Sequence, residues 1–475
     1  MRFLLVAALA LAPLPAFAQD QAGIVTPILA EAGPGTRWGV VVADAEGREI
    51  VAVHPEARFL PASNTKLFTT AAALWAEARG EGARLAESGA TVRIEGGDVV
   101  LAGRGDARLS GRPDCRTNCL AQLADGVAAR TRQVRDVIGD ATLFPDQRWS
   151  PGMSWNNIPT SSGTAIAALS IDDNEIAATV TAGAVGAPPL ISLPSYYVLD
   201  NRARSVPGAE DTLTFDRAPN ERVLVVTGTI GANHAPVAWK LGVDDPAHYA
   251  AWQLAEMLRA RGVSVTGAVR SRHRPLLPDD QGMHLGTPPV RTQQGPALAS
   301  LSPGPLGEDI AVVNKISQNL HAELLLRRLG LAKGNGSIAD GQAVVSAMLS
   351  EAGVGRDAVD LSDGSGMSTY NRVAPRATVA LLQFAARQPW GETLRASLPV
   401  GGVDGTLRRR FAGTALEGRI FAKTGTLNAT NALAGWLVAA SGKVLTFAIY
   451  ANDVPRDVRA TAIMDRALLA LAAAN

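Results

Sequence analysis

The spacing of apolar residues predicts helices toward the two ends of the chain and short strands in its middle. Residues 38–43 and 49–53 alternate in polarity around a turn, which is typical of a hairpin, and residues 67–78 form a run of strong helix formers. Helical spacing returns in the second half of the chain, over residues 306–329, 338–352 and 378–388.

The middle of the chain has a different pattern. From about residue 84 to residue 231, short apolar runs alternate with glycine, aspartate and proline turns, which indicates many short strands. Two helices are predicted in this part of the chain, over residues 120–131 and 249–261. In the second, apolar residues recur at helical spacing and Gly262 follows as a stop. We expect one strand over residues 263–270 after it, and then a proline-rich linker, 275–289.

Three apolar runs and a helix close the chain. The runs at 419–423, 432–439 and 443–451 predict consecutive strands, and residues 456–474 predict a helix. Together with the N-terminal hairpin, they indicate an α/β domain, an antiparallel sheet flanked by helices, which is assembled from both ends of the chain. The β-rich middle is then an insertion into this domain.

The first residues have the composition of an export signal. Arg2 supplies one positive charge, an apolar run continues through Leu11, and residues 16–18 have the small-residue pattern of a cleavage site. A short membrane anchor is the competing interpretation, but the apolar run is short for a span and ends in prolines. We expect residues 1–18 to be a signal peptide and the mature protein to be soluble and periplasmic.

Charge and cysteine content bear on the classes of function. A net charge of +1 without long runs of one sign argues against nucleic acid as a partner. The only cysteines, Cys115 and Cys119, make a poor zinc site alone, and in an exported protein they favour a structural disulfide. The His, Asp and Glu residues show no metal-ligand spacing, so neither a metal nor another cofactor is expected.

Ser63 and Lys66 form the first candidate catalytic pair. Pro61 suits a turn into the helix, so Ser63 falls in the first turn, where unpaired backbone N–H groups can bind an oxyanion. Lys66 lies on the same helix face, and a desolvated amine can take the serine proton near pH 7. An N-cap serine beside a solvated lysine is the alternative. Because only six of the 45 basic residues are lysines, a lysine at this position favours a titratable amine.

A second candidate group is the sequence Ser317-Gln318-Asn319, at the head of an amphipathic helical run. A serine hydroxyl can relay a proton to a leaving amine. The Asn319 amide can donate to substrate and accept from Lys66. Simple N-capping is the alternative for so short a pattern.

A third candidate group is the sequence Lys-Thr-Gly-Thr at 423–426, on a predicted edge strand. The edge of a sheet offers backbone groups to an extended peptide, and Gly425 allows close approach. Lys423 and the hydroxyls of Thr424 and Thr426 suit a substrate carboxylate. The alternative is an ordinary edge strand whose lysine prevents unwanted pairing.

In this order, the three groups are the signature of penicillin-binding proteins and serine β-lactamases. The long separation of Lys66 from Ser317 is typical of proteins with domains inserted there, whereas simple β-lactamases have a short gap. Over nearly the whole mature chain, the sequence resembles the D-alanyl-D-alanine carboxypeptidase/endopeptidase family (class C low-molecular-mass penicillin-binding proteins, peptidase family S13). The matching stretches are 61–67, 314–329, 363–368, 405–407 and 422–435.

The resemblance implies a serine-type D-Ala-D-Ala carboxypeptidase/endopeptidase that acts on peptidoglycan stem peptides and cross-links and is acylated by β-lactams. Ser63 is then the nucleophile, Lys66 its general base, and the backbone N–H groups of Ser63 and Thr426 the oxyanion hole. The remaining implied roles are proton transfer and substrate binding, by Ser317, Asn319, Lys423, Thr424, Gly425 and Thr426.

Three positions depart from the family pattern. Gln318 stands where aspartate is common, and we expect little effect because this residue points away from the chemistry. Some relatives carry an acidic residue that binds the free amine of the stem-peptide diamino acid, and the matching position here is Asn157. The basic partner expected in the Ser-Gly-Met loop is matched by Thr369. The last two changes both remove charge from the substrate pocket, so we expect an amidated or altered stem residue to bind there.

Three other functions compete with this interpretation. A β-lactamase shares the acylation chemistry, but the large insertion argues against it. A non-catalytic peptidoglycan-binding protein is disfavoured because all three motifs are intact. For a Ser-His-Asp hydrolase the nearest histidine is His321, which on an amphipathic helix is better explained by packing or surface exposure.

The resemblance also implies a domain order and leaves a homodimer possible. After the signal peptide at 1–18, we expect a catalytic domain made of two segments, an inserted domain II made of two segments and an inserted β-rich domain III. Their boundaries are 19–82 with 275–475, 83–165 with 235–274, and 166–234.

Overall fold

The computed structural model describes residues 21–80, 89–283 and 295–475, so the predicted signal peptide lies outside the described residues, as does the end of the predicted linker. The described residues form ten α-helices. They are α1 (Ala22–Ala30), α2 (Thr65–Ala78), α3 (Leu120–Arg130), α4 (Pro246–Ala260), α5 (Leu306–Lys315), α6 (Asn319–Leu331), α7 (Ile338–Glu351), α8 (Pro375–Ala386), α9 (Gly391–Ser397) and α10 (Ala460–Ala474). None of them has the length and apolar character needed to cross a bilayer.

The same residues form 22 strands, most of them short. They are β1 (Arg37–Ala43), β2 (Glu49–Val53), β3 (Thr91–Glu95), β4 (Asp98–Ala102), β5 (Gln133–Val134), β6 (Val137–Pro145), β7 (Glu175–Thr181), β8 (Leu190–Ser192), β9 (Val198–Asn201), β10 (Arg204–Val206), β11 (Thr214–Asp216), β12 (Val223–Thr227), β13 (Thr229–Gly231), β14 (Val237–Gly242), β15 (Ser264–Val265), β16 (Val269–Arg274), β17 (Ala299–Ser300), β18 (Val359–Asp360), β19 (Arg372–Val373), β20 (Ile420–Leu427), β21 (Thr430–Val438) and β22 (Val444–Asn452).

A five-stranded antiparallel sheet joins the two ends of the chain. Its strand order is β2-β1-β22-β21-β20, and β1 pairs with β22 from Arg37 opposite Asn452 onward. Successive side chains of β1 enter different cores, because strand residues alternate between the two faces of a sheet. Val40 and Val42 pack with α1 and α10, whereas Val41 packs in the core that contains α2 and α8. This is the predicted sheet flanked by helices.

The middle of the chain forms a second five-stranded sheet and several small ones. The second sheet has the order β16-β6-β4-β3-β17 and shares an apolar core with α3 and α4. Helix α6 bridges the two parts of the molecule: Leu320 and Leu324 belong to this core, and Leu325 and Leu329 to the core of the first sheet. Helix α6 is therefore buried on nearly all sides, which an amphipathic pattern does not predict.

Two local predictions are corrected by the structure, and one helix was not predicted. The helical run at 306–329 is two helices, because Ser317 adopts a left-handed backbone with φ of 62° between α5 and α6. The strand predicted at 263–270 is two short strands, β15 and β16, separated by a turn at 266–268. Helix α9 has no counterpart in the sequence prediction, since its seven residues are too few to show a periodic pattern.

Cys115 and Cys119 are joined by a disulfide that closes a short loop immediately before α3.

Candidate active site

Ser63 lies in a tight turn between β2 and α2. A 3-10 turn, Ala62–Asn64, leads directly into α2, and Ala62 adopts a left-handed backbone with φ of 47°. The buried Asn64 side chain donates to the backbone carbonyl of Lys423 at 2.8 Å, which fastens the turn to strand β20. The nucleophile candidate therefore stands at a rigid junction between a helix and the edge of the main sheet.

Lys66 connects three parts of the site. Its Nζ donates to Ser63 Oγ at 2.9 Å, to Asn319 Oδ1 at 2.7 Å and to the carbonyl of Ser365 at 2.6 Å. The residue is fully buried, and burial lowers the pKa of Lys66 to about 7, against the opposing charges of Asp363 and Glu323. A large fraction of this amine is thus neutral near pH 7 and able to accept the Ser63 proton.

Ser317 and Asn319 face the pair from the other side. The backbone break at Ser317 turns its hydroxyl toward Lys423, whose Nζ donates to Ser317 Oγ at 2.8 Å. Asn319 is the first residue of α6, and besides accepting from Lys66 it donates through Nδ2 to the carbonyl of Ser162 at 3.0 Å. Ser317 therefore contacts Lys423, and Asn319 contacts Lys66.

Strand β20 carries the third group at the edge of the main sheet. Burial, with the nearby charge of Lys66, lowers the pKa of Lys423 well below its usual value. Thr424 Oγ1 shares a hydrogen bond of 2.7 Å with Thr406 Oγ1, and Thr426 Oγ1 accepts from Asn431 at 3.4 Å. The hydroxyls of Thr424 and Thr426 thus stand on an edge where an extended peptide can pair.

Gly425 allows this strand to lie against the nucleophile turn. A Cβ at this position would come within 2.7 Å of the Pro61 carbonyl oxygen and 3.1 Å of the Ser63 backbone nitrogen. Both neighbours are backbone atoms, which cannot swing aside as a flexible side chain can. The close approach brings the backbone of β20 beside that of Ser63, as two oxyanion-hole donors require.

A buried acidic group beneath Lys66 was missed as part of the site by sequence reasoning. Glu323 Oε1 accepts the backbone N–H groups of Gly364 and Ser365, each at 2.9 Å, and so fixes the peptide whose carbonyl accepts from Lys66. Burial and the charge of Asp363 raise the pKa of Glu323. A glutamate within an otherwise apolar run of α6 was the available signal.

Asp363 and Arg327 complete the acidic group. The fully buried Asp363 carboxylate accepts from the backbone N–H groups of Gly366 at 2.9 Å and Ser368 at 2.6 Å. Arg327 lies 3.5 Å from Glu323 and donates to a backbone carbonyl. The loop at 363–368 is therefore held by two buried carboxylates. Their negative charges favour the ammonium form of Lys66 and so oppose the effect of burial on its pKa.

Asn157 lies beside the site rather than among the groups around Ser63. Its 3-10 turn, Trp155–Asn157, packs on the turn Ser161–Gly163, and Ser162 of that turn accepts from Asn319. The preceding segment pairs with the Ser-Gly-Met loop, where the Thr369 backbone and side chain both donate to the Gly152 carbonyl. Asn157 has no hydrogen bond to Ser63, Lys66 or Asn319 in the described part of the chain.

Within residues 21–80, 89–283 and 295–475, no three His, Cys, Asp or Glu side chains converge as a metal site requires. The chemistry available at the site is that of the serine, the two lysines and the edge strand. This arrangement, on an antiparallel sheet flanked by helices, defines an active-site serine hydrolase of the acyl-transfer type.

Comparison with known proteins identifies the family. A family model described as D-Ala-D-Ala carboxypeptidase 3 (S13) matches residues 22–472. The chain is also 36% identical over 441 residues to the D-alanyl-D-alanine carboxypeptidase of Actinomadura sp. (strain R39), with 88% of this chain and 78% of that protein covered. The chain belongs to the D-Ala-D-Ala carboxypeptidase 3 (S13) family, and the prediction of a serine-type D-Ala-D-Ala carboxypeptidase is confirmed.

Two solved structures are similar in fold. Penicillin binding protein 4 (dacB) from Haemophilus influenzae aligns with a TM-score of 0.77 at 23% identity, covering 94% of this chain and 98% of that chain. The same protein complexed with a novel β-lactam aligns with a TM-score of 0.70 at 22% identity and the same coverage. The predicted α/β class with additional β-rich regions is confirmed.

Proposed function

We propose that Ser63 is the acylated nucleophile of this carboxypeptidase, and that Lys66 is its general base. The observation that carries the proposal is the position of the Lys66 amine. It is buried, its pKa is lowered to about 7, and it lies 2.9 Å from Ser63 Oγ. A lysine at the ordinary value would be almost wholly protonated at neutral pH and could not accept the proton.

The proposed reaction has two steps. In the first, Lys66 takes the Ser63 proton, Ser63 Oγ bonds to the carbonyl carbon of the penultimate D-Ala, and the peptide C–N bond breaks. The proton reaches the leaving D-Ala amine through Ser317, which accepts from Lys423. In the second step, water replaces the amine, gives its proton to the same base and cleaves the ester, which restores Ser63.

Substrate binding follows from the edge strand. The terminal carboxylate of the substrate binds Thr424 and Thr426 beside Lys423, and Asn319 holds the substrate amide. The backbone N–H groups of Ser63 and Thr426 bind the oxyanion, and one such donor is typically worth about 100- to 1000-fold in rate. A β-lactam presents a carbonyl and a carboxylate in a similar arrangement, so we include acylation by β-lactams in the proposal.

Intact mass after incubation with benzylpenicillin tests the proposal directly. We expect one penicillin adduct, mapped to the peptide that contains Ser63, and no adduct on a Ser63→Ala variant that melts at the same temperature. Ser192→Ala, which removes an exposed serine in β8, is the matched control and keeps the adduct. An adduct retained by Ser63→Ala rejects Ser63 as nucleophile, whereas rapid loss of the adduct with accumulation of hydrolysed drug favours a β-lactamase.

The choice of substrate at the pocket beside Asn157 is a finer proposal. Asn157 and Thr369 are uncharged, and they lie on segments that pair with each other through Gly152. Arg372 reaches the same loop and donates to the carbonyl of Thr369 at 2.7 Å. We therefore infer that the pocket prefers a stem residue whose side-chain end is amidated, since Asn157 offers no carboxylate to a free amine.

Peptides ending in D-Ala-D-Ala that differ only in this side-chain end test the preference. The expected result is a higher kcat/KM for the amidated peptide, and an Asn157→Asp variant that shifts the ratio toward the peptide with a free amine. A wild-type preference for the free amine would reject this assignment without affecting the role of Ser63.

We propose the domain order given by the family pattern, with one refinement. Strand β17 pairs with β3 in the second sheet, which supports a return to the catalytic domain after Ser300 rather than at residue 275. Export to the periplasm through residues 1–18, cleavage of cross-links and a homodimer belong to the proposal as well. Cell fractionation, assays on cross-linked muropeptides and sedimentation analysis test them in turn.

A further inference from the structure

A second cavity lies away from Ser63, against one side of α4. It has a volume of about 550 Å³, and six of its lining residues matter for its chemistry: Arg112, Asp172, Glu175, Lys240, Trp252 and Gln253. None of them belongs to the groups around Ser63 and Lys66. The size is typical of a site for a small molecule or for one segment of a polymer.

Aromatic side chains form a fixed apolar wall in this cavity. The Trp252 ring stacks on Tyr249 with centroids 6.0 Å apart and planes 12° apart, and Tyr249 packs edge-on against Tyr196 at 4.8 Å. Tyr249 is buried, whereas Trp252 is partly exposed to the cavity. A flat aromatic face held rigidly from behind suits a ligand with a flat apolar face of its own.

The charged side chains of the cavity are already ion-paired. The pairs are Lys240 with Glu175 at 2.8 Å, Arg112 with Asp172 at 3.6 Å, and Glu256 with Arg259 at 2.6 Å. A charged ligand would have to compete with the existing partners of these side chains. A neutral ligand can instead form hydrogen bonds with the lone pairs and N–H groups that the ion pairs leave free. The cavity therefore favours a neutral ligand rich in hydroxyl and amide groups over a zwitterionic peptide.

A strained turn connects this cavity to helix α6. Asp172, Asp173 and Asn174 have φ of 50°, 58° and 52°, an uncommon run for residues other than glycine. Asp172 lines the cavity and accepts from Gln253 at 3.1 Å. Its neighbour Asp173 lies 2.9 Å from Nε2 of His321, which is on α6.

The buried Asn174 side chain holds the turn in this conformation. Its Oδ1 accepts from the Ile171 backbone at 2.9 Å, and its Nδ2 donates to the Ala165 carbonyl at 2.9 Å. His321 is two residues from Asn319, so one rigid turn joins the cavity wall to a residue that contacts Lys66. Strained backbone of this kind clusters at ligand sites, where the surrounding structure maintains it.

We propose that this cavity binds the glycan chain of peptidoglycan, as a neutral N-acetylated amino sugar stacked on Trp252. The sugar hydroxyls and acetamido group bind the paired side chains and Gln253, and the polymer is held while its stem peptide reaches Ser63. The choice of polymer rests on the proposed function, because peptidoglycan carries its stem peptides on such a glycan. The cavity geometry is independent of that choice.

Titration with chitotetraose, a neutral tetramer of N-acetylglucosamine, tests the proposal on the full-length protein. Saturation-transfer NMR and calorimetry are run with and without prior penicillin treatment, so that binding at the acylated site is distinguished from binding elsewhere. We expect the same affinity in both states, a loss of at least about tenfold in Trp252→Ala, and partial retention in Trp252→Phe. Trp155→Ala removes a tryptophan that is 70% exposed and lies outside this cavity, and it serves as the matched control.

Three outcomes overturn the proposal: no binding of chitotetraose, equal binding by wild type and Trp252→Ala, or displacement of the sugar by free stem peptide. Kinetics give a second readout. Trp252→Ala should raise KM at least about threefold for disaccharide-linked substrate while leaving kcat and the turnover of a free D-Ala-D-Ala peptide unchanged. If the proposed function itself fails, the untreated wild type forms no penicillin adduct, a result that the Trp252 comparison does not depend on.

Discussion

Lys66 and Lys423 are buried at one site, yet each amine donates to a different serine, Lys66 to Ser63 at 2.9 Å and Lys423 to Ser317 at 2.8 Å. Burial lowers the pKa of both amines, and the Lys66 charge adds to the effect on Lys423. Two ammonium groups at this depth repel each other, so protonation of one opposes protonation of the other. Each of the two serine hydroxyls therefore lies within hydrogen-bond distance of a buried amine whose pKa is lowered.

The pH dependence of acylation follows from Lys66. Its pKa of about 7 means that the neutral base increases with pH through neutrality. We expect the second-order rate constant for acylation by benzylpenicillin to rise about tenfold per pH unit below pH 7 and to level off above it. Stopped-flow or quenched mass measurements between pH 5 and pH 9 check this, and a rate that falls across the range would contradict it.

Lys66→Arg is the companion variant for the pH experiment. A guanidinium keeps its proton over the whole accessible range, so we expect no acylation at any of these pH values. A circular dichroism melt close to that of the wild type shows that the fold is retained. Acylation by the folded variant would place the base elsewhere.

Glu323→Gln should lower the pKa of Lys66 and leave Ser63 itself unchanged. The amide oxygen can still accept from Gly364 and Ser365, but the negative charge that favours the ammonium form of Lys66 is lost. We expect the midpoint of the pH profile to move down by about one unit. Loss of the partner of Arg327 should also lower the free energy of unfolding by about 3 kcal/mol.

Glu351→Gln is the matched control for that change, because Glu351 is an exposed glutamate that pairs with Arg79 on the surface. Its pH midpoint should equal that of the wild type. An unshifted midpoint in Glu323→Gln would mean that Glu323 acts only by holding the loop in place.

Gly425→Ala tests the contact between β20 and the nucleophile turn. The added Cβ would meet the backbone of Pro61 and Ser63, so the strand must move away and the two oxyanion donors separate. We expect acylation to slow about 100-fold and stability to fall by about 1–3 kcal/mol. Gly307→Ala, in an open position of α5, should acylate normally and be slightly more stable. Equal acylation rates for the two variants would contradict the assigned geometry.

Removal of the disulfide should lower stability and leave activity unchanged. A Cys115→Ser/Cys119→Ser double variant loses a constraint on a short loop, worth about 2 kcal/mol by the loop-closure model. We expect a lower melting temperature and an unchanged acylation rate, because the residues just before the loop, 111–113, line the second cavity rather than the site around Ser63. Calorimetry and the penicillin assay measure the two quantities, and a large loss of acylation would show that the loop supports catalysis.

The sequence predicted those parts of the fold and the site that depend on local pattern. The hairpin of β1 and β2, helix α2 and the three C-terminal strands have clear periodicity, and Ser63 and Lys66 follow from their spacing on one turn. The break at Ser317 could not be predicted, because a serine with positive φ is imposed by the contacts of α5, α6 and β20 rather than by local preference.

Long-range contacts account for the rest. Glu323 and Asp363 are far apart in the chain and join only when the loop at 363–368 docks on α6. The link from Asp173 to His321 is of the same kind, and it gives His321 a hydrogen-bond partner where the sequence suggested only packing or surface exposure. Such groups are determined by tertiary packing, so the spacing of residues along the chain does not predict them.

Because β1 lies between β2 and β22, the N-terminal hairpin that precedes the turn with Ser63 joins the rest of its sheet only through a strand in the last tenth of the chain. During synthesis, therefore, the whole insertion is made after the segment with Ser63 and before β22 can complete the sheet. A chain shortened from its C-terminus so that β22 is lost still contains Ser63, but it lacks the strand that joins β1 to β21. Reactivity toward peptidoglycan, or toward a drug, thus becomes a property of the finished molecule alone.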